Sequence, residues 1–188
     1  MKAAVFDIEC SDLCAIGPGR FLCAVIKPLD SDKIWLFRHD LMGEGKAIAA
    51  TVEVLGGFDL LIGHNIQKFD MPMMFSFFVS RGLHGEFCNP FVYDTMLAFS
   101  RIGYRTRLNG FGKPTKSLAF AVDFFGIPQE KTSIFPREHW LTLWGKGKCR
   151  KEAMDNLVAH CMADVTMNEK LYWRILPDDK RAIIKRWR

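Results

Sequence analysis

The sequence predicts an α/β fold in which helices pack on a mixed sheet. Three apolar runs lie within residues 1–40, and a turn-rich Pro-Leu-Asp-Ser-Asp segment separates the second run from the third, as in a hairpin. Farther along the chain, short apolar runs alternate with helical patterns, which is typical of parallel crossover units. A doubly wound fold would alternate strand and helix from its first strand. We therefore expect antiparallel strands first and parallel strands later.

Strands are expected where short apolar runs are bounded by turn residues. The first run contains a single acid among apolar residues, which indicates a buried strand. In chain order, the predicted strands cover residues 3–8, 21–27, 33–38, 59–62 and 91–93.

Helices are expected where apolar residues recur with helical spacing. Residues 46–55 have this spacing and stop at two glycines, and a helix over 70–79 would carry Pro72 in its first turn, where a missing amide proton costs little. The other predicted helices cover residues 94–99, 117–125, 152–174 and 178–188, the last of them basic. Residues 101–116 contain five Lys or Arg, three Gly and one Pro, and are predicted to form a basic loop.

Length and composition are those of a globular protein. The chain has 188 residues, of which 49% are hydrophobic and 25% charged, and this composition excludes disorder and collagen-like repeats. No apolar stretch approaches the roughly 20 residues that span a bilayer, and the acids near the start argue against an export signal. We expect one domain over residues 1–188, with a core over about residues 2–176, and no membrane contact.

Cysteine spacing and net charge bound the compartment and the partner. The six cysteines include no CxxC pair, so we expect reduced thiols in a cytoplasmic protein rather than a disulfide framework or a zinc site. The net charge of +5 permits a polyanionic partner.

Two acids lie at alternate positions within residues 5–10, the segment in which the first predicted strand ends. Strand side chains alternate between faces, so Asp7 and Glu9 point to one face while Phe6 and Ile8 point to the other. Two like charges on an otherwise apolar strand repel each other and are costly to bury. A divalent cation would relieve this repulsion, and Mg²⁺ and Mn²⁺ prefer carboxylate oxygens. An edge strand with two solvated acids is the alternative.

Two further segments carry an acid near a histidine. Asp70 opens a predicted helix shortly after His64, where an acid suits the helix N-terminus with or without a further role. In the long predicted helix, His160 and Asp164 are four positions apart and share one face. Such a pair is either a surface ion pair or a base placed beside a metal ion.

Taken in order, these segments resemble the three motifs of the DEDD 3′–5′ exonucleases, a superfamily that includes proofreading domains of DNA polymerases and several RNA-trimming enzymes. The resemblance extends from residue 2 to about residue 176 and implies a ribonuclease H-like fold, with a mixed five-stranded sheet flanked by helices. The segments that carry it are Phe6-Asp7-Ile8-Glu9, Asn65-x3-Phe69-Asp70, Tyr93-Asp94-Thr95-Met96 and His160-x3-Asp164-Val165.

The resemblance implies a role for each acid. Asp7, Glu9 and Asp164 would hold two Mg²⁺ or Mn²⁺ ions, with Asp70 assisting through water, and His160 would deprotonate or orient the attacking water. The product would be a nucleoside 5′-monophosphate released from a 3′ end. His160 is separated from Asp164 by three residues, which is the spacing of the family's tyrosine branch.

The resemblance also implies contacts with nucleic acid. The amide of Ile8 or Glu9 and the side chains of Asn65 and Phe69 would touch the terminal nucleotide, and Asp94 would support the site or cap a helix. The basic loop could bind phosphates or be solvated; its basic residues are Arg101, Arg105, Arg107, Lys113 and Lys116.

The expected activity is therefore 3′–5′ hydrolysis of single-stranded nucleic acid with a free 3′ end. DNA is the preferred substrate, because the tyrosine-like spacing and residues 93–96 resemble the proofreading branch. An RNA-trimming exoribonuclease of the same fold is the alternative within the family. A non-catalytic nucleic-acid-binding subunit is the alternative from another class, but all four acids are present here. A resolvase-type endonuclease is a further alternative, against which the motif from Asn65 to Asp70 argues.

Overall fold

The computed structural model describes residues 1–11, 19–29, 31–102, 116–129, 143, 148–179 and 185–187. These residues contain one sheet, whose strands are β1 (Ala3–Cys10), β2 (Phe21–Pro28), β3 (Trp35–Arg38), β4 (Leu60–Gly63), β5 (Phe91–Asp94) and β6 (Lys185–Arg186). The spatial order of the strands is β3-β2-β1-β4-β5-β6.

The pairing of the strands confirms the predicted mixed sheet. β1, β2 and β3 form antiparallel pairs, whereas β4 pairs parallel with both β1 and β5. The two-residue β6 adds a sixth strand, antiparallel to β5, that the sequence did not predict. β1 lies between β2 and β4, so the alternative of an edge strand with solvated acids is wrong.

Helices cover both faces of the sheet. One apolar core lies between the sheet and the first group of helices, and it contains Phe6 and Ile8 from β1. The other core contains Val5 and lies beneath the second group. The first group is α1 (His39–Met42), α2 (Glu44–Leu55) and α3 (Asp70–Ser80); the second is α4 (Thr95–Arg101), α5 (Leu118–Phe124) and α6 (Lys148–Ile175).

The first strand extends beyond its parallel neighbour. Ala3 pairs with Leu60 and Val5 with Ile62, and β4 ends one residue later at Gly63. The last part of β1, which carries the two predicted acids, therefore projects past the end of β4, where α3 begins. In open α/β sheets, ligands bind at this carboxyl end of the parallel strands.

The long helix α6 is attached to the sheet by two ion pairs. Near its beginning, Asp155 Oδ1 accepts a hydrogen bond from Arg38 Nη1 of β3 at 2.6 Å. Near its end, Glu169 Oε1 accepts one from Lys27 Nζ of β2 at 2.7 Å. These pairs, together with apolar packing on β1, β2 and β4, hold the helix in register with the strands. Within the described residues, no helix is long and apolar enough to cross a membrane.

The predicted basic helix over residues 178–188 is wrong in the part of that segment that the structure describes. Asp179 follows the turn after α6 and accepts hydrogen bonds from Tyr93 Oη at 2.9 Å and Arg101 Nη2 at 2.6 Å. Farther on, β6 pairs with β5, and the ring of Trp187 packs against those of Phe75 and Phe87. Pairing with a distant strand has replaced the local helical pattern.

The turn after β4 leaves no room for a side chain at Gly63. A Cβ atom there would lie 2.7 Å from Cβ of Ile66. We expect Gly63→Ala to lower the free energy of unfolding by about 1–3 kcal/mol, since the buried turn must shift. Urea unfolding measures this loss. Gly45→Ala is the matched control in α2, where a Cβ meets nothing within 4 Å. Equal urea midpoints for the two variants would contradict the steric argument.

Candidate active site

One turn of α6 faces the carboxyl end of β1. His160 Nε2 lies 4.0 Å from Glu9 Oε1 and 3.9 Å from Asp164 Oδ2, so the imidazole stands between the two carboxylates. The next residue, Cys161, donates its thiol proton to Asp7 Oδ2 at 3.1 Å. Asp7 and Glu9 therefore face the same helix, as strand alternation predicted.

The fourth acid reaches the same strand from its other neighbour. Asp70 is the first residue of α3 and is 2% exposed. Its Oδ1 accepts a hydrogen bond from the amide of Ile8 at 3.2 Å. That amide lies past the end of β4, where a parallel strand would otherwise supply the acceptor. Asp70 thus provides the hydrogen-bond acceptor for the β1 amide that lies between Asp7 and Glu9.

Burial and mutual repulsion make these carboxyl groups hard to ionise. Burial, followed by the charges of Asp70, Glu9 and Asp164, holds the pKa of Asp7 well above its usual range. Burial and the charges of Asp164 and Asp70 raise the pKa of Glu9 to about 8. Burial raises the pKa of Asp70 to about 7 against the hydrogen bond from Ile8, and burial also raises the pKa of Asp164. The four acids therefore form one electrostatic unit.

Two neighbouring groups also affect the pKa values at this site. His160 favours ionisation of Asp164 and so opposes part of the increase that burial causes in its pKa. Burial, followed by a hydrogen bond with Cys23 and the charge of Asp7, raises the pKa of the Cys161 thiol, so this thiol stays protonated.

Asp94 organises the turn that leads to Asp70. Its carboxylate caps α4 by accepting from the amides of Met96 and Leu97, and it also accepts from the amides of Asn65 and Gln67 at 3.1 and 3.3 Å. Asn65 has a positive φ of 68°, a conformation in which asparagine is tolerated better than most residues. The structure therefore confirms the capping role of Asp94, which also supports the turn.

A buried hydrogen-bond chain crosses behind this turn. His64 Nε2 lies 2.6 Å from the carbonyl of Lys116 and must donate there, because a carbonyl oxygen only accepts. His64 Nδ1 lies 3.0 Å from Thr95 Oγ1, which in turn donates to Oδ1 of Asn168 at 2.7 Å. This chain connects the turn after β4 with α6, one turn beyond Asp164.

Several predicted substrate contacts are placed differently. The amide of Ile8, a predicted nucleotide contact, donates its hydrogen bond to Asp70 in this structure. Phe69 is half-buried against the core that contains Phe6, so packing accounts for its position. Arg101 is paired with Asp179 rather than left to bind phosphate. Arg105, Arg107 and Lys113 lie outside the described residues.

The acids have the chemistry of a cation site but are not assembled around one position. Carboxylate oxygens suit Mg²⁺ and Mn²⁺, and a cation would relieve the repulsion that raises their pKa values. Within the described ranges, however, no three His, Cys, Asp or Glu side chains are grouped so as to hold one metal ion together. Cation binding would therefore require the carboxylates to turn towards each other.

Comparison with known proteins relates the chain to others by fold alone. No protein-family model and no curated protein matches the sequence. Among solved structures, the chain is similar to the family B DNA polymerase from the hyperthermophilic archaeon Pyrobaculum calidifontis, with a TM-score of 0.67 and 16% sequence identity. The match covers 94% of this chain and 24% of the polymerase chain, so the protein spans about a quarter of that polymerase's length.

The fold is ribonuclease H-like. The structural match and the mixed sheet, with its antiparallel strands first and its parallel strands next, agree with the predicted class.

Two polar residues near the acids were not predicted as functional. Cys161 could have been found from its position between His160 and Asp164, since a residue three positions before Asp164 shares its helix face. The other residue is His64, and no local pattern indicates its hydrogen bond with the carbonyl of Lys116, 52 positions away.

The raised pKa values predict an unusual pH dependence of stability. Carboxyl groups of the unfolded chain lose their protons near pH 4, whereas Glu9 and Asp70 keep theirs to about pH 8 and 7 when folded. Folding therefore takes up protons over this range. We expect the free energy of unfolding in chelator to fall by several kcal/mol as the pH rises from about 5 to 8.

Urea unfolding at several pH values tests this expectation. Glu9→Gln should flatten the pH dependence and stabilise the protein at pH 8, because the amide carries no charge. Asp123→Asn, at an exposed position of α5, should leave the slope unchanged. A stability that rises between pH 5 and 8 in the unsubstituted protein would contradict the raised pKa values.

Proposed function

We propose that the protein is a metal-dependent 3′–5′ exonuclease that hydrolyses phosphodiester bonds from the 3′ end of single-stranded nucleic acid, with DNA preferred. The observation that carries this proposal is the convergence of four mutually repelling carboxylates, of which Asp70 is buried and the other three are half-buried, at the carboxyl end of the central strand. A structural protein gains nothing from this arrangement, because each acid makes the others harder to ionise.

In this proposal, the carboxylates bind a pair of divalent cations. Asp7, Glu9 and Asp164 would hold two Mg²⁺ or Mn²⁺ ions. Asp70, which accepts a hydrogen bond from the amide of Ile8, would assist them. When bound, two such ions stabilise the attacking and leaving oxygens of a displacement at phosphorus and lower the pKa of a bound water. The donors are hard oxygen ligands, which suits these ions.

In this proposal, His160 acts on the attacking water. Its Nε2 lies within 4.0 Å of carboxylates on both β1 and α6, and its side chain is 34% exposed. An imidazole that reaches both solvent and acids can take a proton from water near neutral pH. We assign His160 as the general base, at the spacing that the family's tyrosine occupies.

The choice of substrate has separate support. The structural neighbour is a DNA polymerase, and the motif resemblance includes proofreading domains of such enzymes, so we propose DNA before RNA. Asn65 and Lys116 lie beside the site on the turn and the segment joined by His64, and we propose them as substrate contacts together with Phe69, Arg105 and Arg107.

Digestion of a 5′-labelled single-stranded oligonucleotide tests the activity. We expect a ladder that shortens from the 3′ end in Mn²⁺ or Mg²⁺, none in EDTA, and resistance when the 3′ end carries a phosphate. Parallel digestion of DNA and RNA of the same sequence measures the preference. Immediate release of a labelled mononucleotide, or cutting of a closed circle, would contradict the proposed polarity.

Asp7→Asn separates chemistry from folding. This substitution should abolish cleavage, because it removes a proposed ligand, and should raise the melting temperature by relieving repulsion among the acids. Asp32→Asn, at an exposed position before β3, is the control and should cleave normally. Undiminished cleavage by Asp7→Asn would overturn the proposal.

Replacement of His160 tests the assignment of the base. His160→Ala should lower kcat about 10²–10⁴-fold, the usual range for such a group, and should remove the ascending limb of the pH–rate profile. His160→Tyr should retain part of the activity. His84→Ala, at an exposed position after α3, is the matched control. If His160→Ala keeps its turnover and pH profile, His160 is not the base, while the roles of the four acids are unaffected.

A further inference from the structure

A half-buried histidine joins the last residue of the basic segment to the turn after β4. His64 Nε2 donates to the carbonyl oxygen of Lys116 at 2.6 Å. The other ring nitrogen, Nδ1, lies 3.0 Å from Thr95 Oγ1 at the start of α4. Neither contact involves the four acids, so this link does not depend on how the carboxylates are arranged.

The histidine end of the link is held by buried groups. Thr95 is fully buried, and its hydroxyl donates to Oδ1 of Asn168, which is 3% exposed, at 2.7 Å. Asn168 belongs to α6, one turn after Asp164. Displacing buried, hydrogen-bonded groups would leave them without partners, which is costly. His64 therefore has a fixed position relative to β4, α4 and α6.

At the other end of the link, hydrogen bonds hold the backbone of Lys116 while its charge stays available. The next residue, Ser117, caps α5 by accepting a hydrogen bond from the amide of Phe120 at 3.3 Å. Among the residues that the structure describes, none forms an ion pair with the ammonium group of Lys116, in contrast to Arg101, which Asp179 neutralises.

We infer that His64 is a positioning residue that fixes Lys116 for contact with a phosphate of single-stranded nucleic acid. The inference rests on the proposed function, in which Lys116 is a substrate contact. His64 touches neither substrate nor metal in this scheme and acts through the backbone of Lys116. Phosphate contacts supply much of the affinity of proteins for nucleic acid, so losing the link should weaken binding rather than slow the chemical step.

Two substitutions separate the two ends of the link. The side-chain amide of glutamine reaches about as far as Nε2 of histidine, so His64→Gln keeps a donor for the Lys116 carbonyl and loses the contact with Thr95. Asparagine is one methylene shorter, so His64→Asn keeps a polar group near Thr95 and loses the contact with Lys116. Lys116→Gln removes the proposed phosphate contact itself. Thr51→Ala is the matched control, because it removes another buried hydrogen bond to a backbone carbonyl, that of Ala47 within α2.

The measurement is binding of a fluorescently labelled single-stranded DNA oligonucleotide in EDTA at several salt concentrations. Loss of one phosphate contact should reduce the slope of log affinity against log salt by about 0.7. We expect this reduction, with an affinity at least about threefold weaker, in both Lys116→Gln and His64→Asn. His64→Gln and Thr51→Ala should bind as the unsubstituted protein does. The double variant should bind no more weakly than Lys116→Gln alone, because His64→Asn and Lys116→Gln remove the same contact.

Cleavage in Mn²⁺ gives a second readout. His64→Asn should raise KM for DNA at least about threefold and leave kcat unchanged within about twofold, because it removes binding that is equal in the ground state and the transition state. Urea unfolding in EDTA shows which variants remain folded. If His64→Asn does not fold, His64→Leu takes its place, since leucine also lacks a donor for the Lys116 carbonyl.

The contrary results separate the inference from the proposed function. If His64→Asn binds DNA normally, or if the double variant binds more weakly than Lys116→Gln, His64 does not act through Lys116 and the inference is wrong. If His64→Gln binds as weakly as His64→Asn, the contact with Thr95 is the one that matters, and the inference is again overturned. A lower kcat with an unchanged KM would also overturn it.

Two further outcomes concern Lys116 and the unsubstituted protein. If the unsubstituted protein cleaves DNA in Mn²⁺ but does not bind it in EDTA, or if Lys116→Gln binds normally, the inference fails while the proposed function stands. If the unsubstituted protein neither binds nor cleaves DNA, both fail.

Discussion

Repulsion among four carboxylates at the carboxyl end of β1 is the constraint on which this structure depends. Asp7, Glu9, Asp70 and Asp164 come from a strand and two helices, and burial with mutual charge opposes their ionisation. Such a group is stable only where the surrounding scaffold holds each carboxylate against the others. The two apolar cores provide that scaffold, because they fasten helices to both faces of the strand that carries two of the acids.

The scaffold orients the acids by hydrogen bonds. The amide of Ile8 holds Asp70, and Cys161 holds Asp7, so two of the four carboxylates have a donor that sets their direction. The stagger between β1 and β4 makes the first of these bonds available, since it leaves a backbone amide without a strand partner. The ion pairs of α6 with Arg38 and Lys27 connect the helix that carries Cys161 to β3 and β2.

The sequence predicts the parts of this structure that depend on local patterns. Alternation along β1 places Asp7 and Glu9 on one face, and helical spacing places His160 and Asp164 together, and both predictions agree with the geometry. The positions of strands β1 to β5 along the chain also follow from apolar runs and turn residues. The motif resemblance, which rests on the order of the acids along the chain, predicts that all four belong to one site.

The features that the sequence does not predict depend on partners far away in the chain. Residues 185–186 have a basic pattern compatible with a helix, and only pairing with β5 makes them a strand. Arg101 looks like a phosphate ligand until Asp179, 78 positions later, neutralises it. The amide of Ile8 looks available until Asp70 occupies it. In each case the neighbouring residues show what kind of group is present. They do not show its partner, which lies far away in the sequence.

The pairing of Asp179 also defines how far the chain can be shortened. The side chain of Asp179 is 1% exposed, and it neutralises Arg101 while accepting from the Tyr93 hydroxyl next to Asp94. A truncation that kept all of α6 but ended before residue 179 would leave a partly buried guanidinium without its counter-charge, a defect that costs about 3–5 kcal/mol in buried pairs. The minimal folding unit therefore does not coincide with the last helix or with the last proposed catalytic acid. It includes a short extension whose carboxylate supports the strand that leads into the site.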